Sequence, residues 1–335
     1  HAQNFIQRGF YPRNDLSTTA TINFTGTDLS CSDIIGAAGN SPQCIGGFGT
    51  GVTLTNITSD RTTDDAVHWE GDSQTINGLY ATSPGYQAST NLGDCYQCAS
   101  NCDKVRLVGW TCDHRSSATK QCVIIQPNGG GGDADTLIAD GECLYPETGN
   151  ATYLNKAIYS GVPGGRVERN YVLGSYYGIF VDGADTKVIG NIVVGAELRG
   201  IDMASTVTTG TGTVAHNSVS DSGDGIVLGG GASVTNNVNN NLTMNNTNGC
   251  TKGGSSTLNQ SYNAWFGNTT NSNNCGALTN GVTADPKLIG GSTPRDPGDF
   301  CPGAGSPLPG AGTYLGAWAT GFNSEDLGKP TTIGA

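Results

Sequence analysis

Apolar positions along this chain do not recur at helical spacing. They gather in short runs, rich in Val and Ile, that Gly, Asn, Asp and Ser interrupt. The stretch GIFVDGADTKVIGN, residues 178–191, returns as GIDMASTVTTGTGTVAHN from Gly200 and as GIVLGGGASVTNN from Gly225. Each copy opens on Gly-Ile and a short apolar run, passes through a loop of small residues, and closes with a Val-containing run on Asn. The opening glycines lie 22 and 25 residues apart, and the closing Asn170, Asn191, Asn217 and Asn237 lie 21, 26 and 20 apart. A near-constant period of this size is the mark of a solenoid.

The repeat predicts three short strands per coil. A first strand carries Val67, Ile158, Ile179, Ile201 and Ile226, with Val123 or Ile124 filling a coil between. A second carries Val167, Val188, Val214 and Val234 ahead of the turn asparagine. A third follows it as YVL at 171–173, IVV at 192–194 and SVS at 218–220. Upstream, TLTNI (53–57), TINGL (75–79) and VRLVGW (105–110) read as less regular turns of the same pattern. Coils of roughly 20–25 residues make about ten in all.

Composition supports an all-β chain. It has 52 Gly, 2 Met and 13% charged residues, and Gly, Asn and Thr disfavour helix interiors. The net charge of −12 argues against nucleic acid or an anionic membrane as partner. No apolar run is long enough for a membrane span. Eleven cysteines point to an oxidising compartment, with several disulfides and one thiol left over. The start HAQNF reads as a chain just past signal-peptide cleavage. Seven glycosylation sequons, at Asn23, Asn56, Asn150, Asn241, Asn245, Asn259 and Asn268, fit a secreted protein.

GIFVDGADTKVIGN and its relatives resemble the right-handed, single-stranded parallel β-helix of the pectate-lyase-like superfamily. The resemblance is clearest from Lys156 to Asn241 and weaker back to Val52. It implies a ladder of turn asparagines whose amides bond along the axis, a role that suits a residue tolerant of left-handed backbone. On this reading residues 1–50, with Cys31 and Cys44, form an N-terminal cap. Residues 51–242 form the coils, 243–283 an irregular loop region stapled by Cys250 and Cys275, and 284–335 a C-terminal closing cap.

Strand alternation then maps the surface. With the isoleucines inward, Tyr159, Phe180, Asp202 and Val227 face out, as does Asp182 further along its strand. Lys156, Tyr177, Arg199 and Asp224 line the corner that enters the strands. Only 16 cations occur in the chain, so two of them stacked beside aromatic rings mark a candidate groove. Aromatic faces suit sugar rings, and Lys or Arg pairs with a uronate carboxylate. β-Elimination of a uronate polymer needs that carboxylate neutralised and the adjacent proton removed. Lys156 and Arg199, with Tyr177 as acid, are the candidate catalytic residues, a role that lyases of the resembled superfamily also give this strand face. Tyr159, Phe180, Asp182, Asp202, Asp224 and His68 are the candidate substrate-binding residues. The plainer account is a solvated corner with scattered charge.

Other motifs carry less. Asp64 and Asp65 resemble the acidic pair of β-helix polygalacturonases, but that family's Gly-His-Gly and Arg-Ile-Lys elements are absent, so an Asp-rich turn is the better account. Cys95, Cys98, Cys102 and Cys112 have metal-like spacing, yet in a secreted chain a disulfide-stapled loop outweighs zinc. No CxxCH is present to attach haem. DADTLIAD (133–140) lacks EF-hand spacing; Ca²⁺ is the one ion its acidic residues leave open, and no other metal or cofactor is expected. A copper clamp of His1 with His114 or His216 is the weakest candidate.

Two functions follow. The first is a secreted carbohydrate-active β-helix, a lyase of an acidic polysaccharide, with glycoside hydrolysis less favoured. The alternative is a non-catalytic structural, adhesive or filament-forming subunit that self-associates end to end through its open coil edges. The outward row separates them: an open groove favours the enzyme, and splayed or covered side chains favour the structural part.

Overall fold

A computed structural model describes residues 2–3, 8–10, 23–34, 43–84, 93–99, 101–115, 121–127, 135–146, 155–313, 315 and 333–334. The chain is all-β, a right-handed parallel β-helix of about nine turns. Every strand pairing within its two sheets is parallel. An eleven-stranded sheet forms the first face, and an eighteen-stranded sheet forms the second and third faces. Early coils cross from second face to third as one long strand, Val52–Thr62, Gln74–Thr82 or Arg106–Asp113. Later coils split it into pairs such as Lys187–Ile189 and Ile192–Val194.

The first-face register follows the repeat. Val123 pairs with Ile158, then Ile179, Ile201, Ile226 and Cys250 in successive coils. The four isoleucines and Val123 are wholly buried. Between second and third faces each coil turns on one residue of left-handed backbone, among them Arg169, Gly190, His216, Asn240 and Tyr262 at φ of 52° to 66°. The next residue is the ladder asparagine. Asn170 Nδ2 donates to Asn191 Oδ1 at 3.0 Å, Asn191 to Asn217 at 3.0 Å, Asn217 to Asn241 at 2.9 Å and Asn241 to Asn263 at 3.0 Å. Buried amides paired this way replace the partners that a tight corner removes.

Asn237 and Val234 are corrections to the sequence register. Thr209–Ala215 and Ser233–Asn239 are each seven residues long, so the corner falls four residues later than expected. Val238 is the partner of Val214, and Asn237 pairs with Thr213 on the second face. Asn241 takes the ladder position and is fully buried, which closes its sequon to modification in the folded state. Asn23, Asn56 and Asn259 are exposed, and Asn150 lies outside the described residues.

The outer segments also differ. Thr25–Thr27, Ser30–Ile34 and Gln43–Phe48 already pair in register with later strands, so regular coils begin inside the expected cap. Residues 243–283 hold the strands Asn248–Lys252, Thr257–Ser261, Ala264–Phe266 and Thr270–Asn273. All but Ala264–Phe266 are polar and partly exposed, which concealed them; the Cys250–Cys275 disulfide is nonetheless present. The closing segment lies along the flank of the helix. Leu288, Phe300, Leu308 and Ile333 pack on Tyr171, Ile192, Val194, Leu242 and Met244 of the third face. Asn240 clasps Thr313 in both directions, and Asn245 Nδ2 donates to Ser292 O at 2.6 Å. All three residues of Ile192–Val194 are therefore buried, which is what a strand covered on both faces requires.

Five disulfides are present, and Cys301 is the free cysteine among the described residues. Cys31–Cys44, Cys95–Cys112 and Cys122–Cys143 each cross the core from third face to first. In later coils the same rung is filled by Gly against Val. A Cβ on Gly178 would lie 2.5 Å from Val193 Cγ1, and one on Gly200 would lie 2.3 Å from Val219 Cγ1. Close packing of the flattened core is thus met covalently in one half and sterically in the other.

Candidate functional site

The first face sets the expected rows side by side. Lys156, Tyr177, Arg199 and Asp224 are partners in successive coils, and so are Tyr159, Phe180, Asp202 and Val227. Lys156 Nζ sits 4.1 Å from the Tyr159 ring centre and 4.0 Å from that of Phe180. Those rings meet edge to face at 5.4 Å, and Phe180 meets Tyr177 the same way at 5.8 Å. Tyr159 Oη donates to Asp182 Oδ2 at 2.8 Å. One coil on, Arg199 Nη1 donates to Asp202 Oδ2 at 2.6 Å, and the guanidinium lies 5.8 Å from the Tyr177 ring centre. Asn248 Nδ2 donates to Asp224 Oδ1 at 2.6 Å. The candidate catalytic trio and five of the six candidate binding residues are therefore contiguous.

Burial tunes these groups. It lowers the Lys156 ammonium from its ordinary value, with Asp182 and Asp202 opposing the shift. It pushes the Tyr159 hydroxyl up to about 12 and raises Tyr177 as well. Asp202 corrects the expectation of an open outward carboxylate: Arg199 seals it, leaving the residue 1% exposed. Burial raises its carboxyl above the usual range, and the Arg199 hydrogen bond only partly offsets this. Arg199 Nε is buried with no hydrogen-bond partner. The result is an aromatic shelf carrying one half-buried amine and one guanidinium paired with a buried carboxylate.

His68 stands apart. It shares the outward row of Gln97, Ile124 and Tyr159, three rungs from Tyr159, or about 14 Å at the usual strand spacing. Its ring bridges Asp65 Oδ2 and Glu70 Oε1 at 2.8 Å each. Desolvation opposes its charge, but the two buried carboxylates win and push it up to about 10. Asp65 also accepts the Asp94 N–H at 2.8 Å. The acidic turn is thus a structural ion cluster, and His68 is not brought to the aromatic shelf. Gln126, which hydrogen-bonds Tyr159, was missed; counting three residues on from Val123 would have found it.

The metal-like cysteines are joined as Cys95–Cys112 and Cys98–Cys102. His114 lies near the first pair and Glu70 near the second, but disulfide sulfurs are not thiolate ligands. His114 stacks on Tyr145 at 4.9 Å and His216 Nε2 accepts from Asn240 Nδ2 at 3.2 Å; both histidines are fully buried. His1 and the start of DADTLIAD, Asp133, lie outside the described residues. No helix among the described residues is long and apolar enough to cross a membrane.

The fold and face together define a disulfide-bonded parallel β-solenoid with an aromatic, cation-bearing flank. No protein-family model matches the chain, and a search of the curated proteins finds no match.

Proposed function

We propose that this is a secreted β-helix of pectate-lyase-like architecture that cleaves an acidic, uronate-containing polysaccharide by β-elimination on its first face. The observation that carries this reading is the Lys156 amine, held between the Tyr159 and Phe180 rings with its proton affinity lowered by burial. A neutral amine there takes the proton next to the uronate carboxyl group. The electron pair forms the ring double bond, the glycosidic C–O bond breaks, and the leaving oxygen takes a proton from Tyr177 or water. Arg199, still 36% exposed beyond its ion pair with Asp202, faces the substrate carboxylate. The exposed parts of Tyr159, Tyr177 and Phe180 stack against sugar rings. The chain's net charge of −12 opposes a polyanion everywhere else, which confines productive binding to this patch.

The test is ultraviolet absorbance of unsaturated uronate products during incubation with alginate, pectate, glucuronan and glycosaminoglycans. Activity on at least one polymer, abolished in Lys156→Ala and Arg199→Ala, is the expected result. A flat trace on every polymer, with no reducing ends released, overturns the reading.

A further inference from the structure

The two cations of the first face converge on a single coil. Lys156 and Arg199 stand on the strands either side of Tyr177. Lys156 Nζ leans to within 4.0 Å of the Phe180 ring centre, and the Arg199 guanidinium lies 5.8 Å from that of Tyr177. Both rings belong to the strand Tyr177–Val181. Along the axis the shelf offers no further positive charge among its described residues. One outward column runs Ile124, Tyr159, Phe180, Asp202, Val227 and Thr251. The column beside it runs Gln126, Gly161, Asp182, Ala204 and Gly229. Lys156 and Arg199 therefore stand against three carboxylates, those of Asp182, Asp202 and Asp224. The groove can hold one substrate carboxylate by local pairing, and it has no surplus field to hold a row of them.

Asp224 is the neighbour of Arg199 in the next coil. Its carboxylate takes a hydrogen bond from the neutral Asn248 amide at 2.6 Å, and its charge is felt by both Arg199 and Asp202. A sugar unit in an extended polysaccharide is close in length to one strand spacing, about 4.8 Å, so successive sugars fall on successive coils. A uronate seated on the Tyr177 coil places the second sugar along over Asp224. In a homopolymer of uronates that sugar carries a carboxylate too, and like charges set face to face act against binding. Toward the other end lie the half-buried Ile124 and Gln126, an apolar surface and a neutral amide without counter-charge.

We infer that Asp224 is a specificity-determining residue, and that the substrate is a polysaccharide whose uronates are isolated among neutral sugars instead of contiguous. The inference rests on the reading of the first face as a uronate-binding groove. The experiment is electrophoresis of the wild-type chain and Asp224→Asn through gels holding either gellan, whose glucuronates are spaced by neutral sugars, or pectate, whose uronates are contiguous. Product absorbance is followed in parallel. Asn at 224 can still accept the Asn248 hydrogen bond, so circular dichroism and melting are expected to be unchanged. Wild type is expected to bind gellan about two- to fivefold more tightly than pectate, and Asp224→Asn to close that gap by tightening pectate alone. Equal retention of wild type by both polymers, retention by neither, or a gap that Asp224→Asn leaves intact overturns the inference. Retention in the expected order without unsaturated product overturns the lyase reading alone. Equal retention with product from both polymers keeps the lyase reading and overturns this inference alone.

Discussion

At the scale of single residues, Lys156 and His68 are opposite solutions to burying a cation. Lys156 is held by aromatic faces, and desolvation lowers its proton affinity. Lyase activity is therefore expected to rise with pH as the amine loses its proton, and Lys156→Met is expected to remove about two to four orders of magnitude from the rate. A pH–rate profile of wild type beside that variant checks both. His68 is held by two carboxylates and titrates near 10 instead of 6.5. A raised folded-state value stabilises fully below the unfolded value, and that stability is lost as pH rises from about 6.5 to about 10. His68→Asn leaves Asp65 and Glu70 buried without their partner, a loss on the order of 3–5 kcal/mol. Melting temperatures measured across this window are expected to converge for wild type and variant at the alkaline end.

Among the elements, the asparagine ladder gives the sharpest comparison. Asn217→Ala removes an amide that bonds Val188 O and Asn241 Oδ1, and unfolding in denaturant is expected to show a loss of about 1–3 kcal/mol. Asn237→Ala, on the half-exposed second face, is expected to stay within about 0.5 kcal/mol. Equal effects at both positions would refute the observed register. These two residues also show how far the sequence could be read. The first-face and third-face strands were legible because each inward position repeats a large apolar residue. On the second face Val167, Val188 and Val214 were read in register, but the next strand was not, because Thr209–Ala215 and Ser233–Asn239 place Gly and Asn at inward positions such as Gly212 and Asn236. The rows of the candidate site followed directly from the isoleucine column. The seal of Arg199 over Asp202 did not, since it depends on a side-chain path between two residues of one coil. The last coil stayed hidden for the same reason as Ser233–Asn239: strands such as TLNQS and TNSN advertise no core.

For the whole molecule, the covalent crossings are unevenly placed. Four of the five disulfides lie at or before Cys143, and the coils from Lys156 to Asn241 have none within them. In the chain-entropy account, opening the 17-residue separation of Cys95–Cys112 costs about 3 kcal/mol. Limited proteolysis after reduction is expected to cut first before residue 146 and to leave a resistant fragment containing the coils after 155. Cleavage beginning in those later coils would count against independent packing of that half.

The strap over the third face has a consequence for the order in which the molecule is made. A chain emerging from its N-terminus can stack and oxidise its first coils at once, since everything they pack against has already appeared. Tyr171, Ile192, Val194 and Met244 must wait with their outer surfaces wet until Leu288, Phe300 and Leu308 arrive. The segment from Leu288 to Leu308 is thus a seal that arrives only after the coils it covers. A chain cut short before residue 284 would carry a finished aromatic flank and a long apolar scar on its back, the kind of surface by which unfinished proteins are recognised and removed.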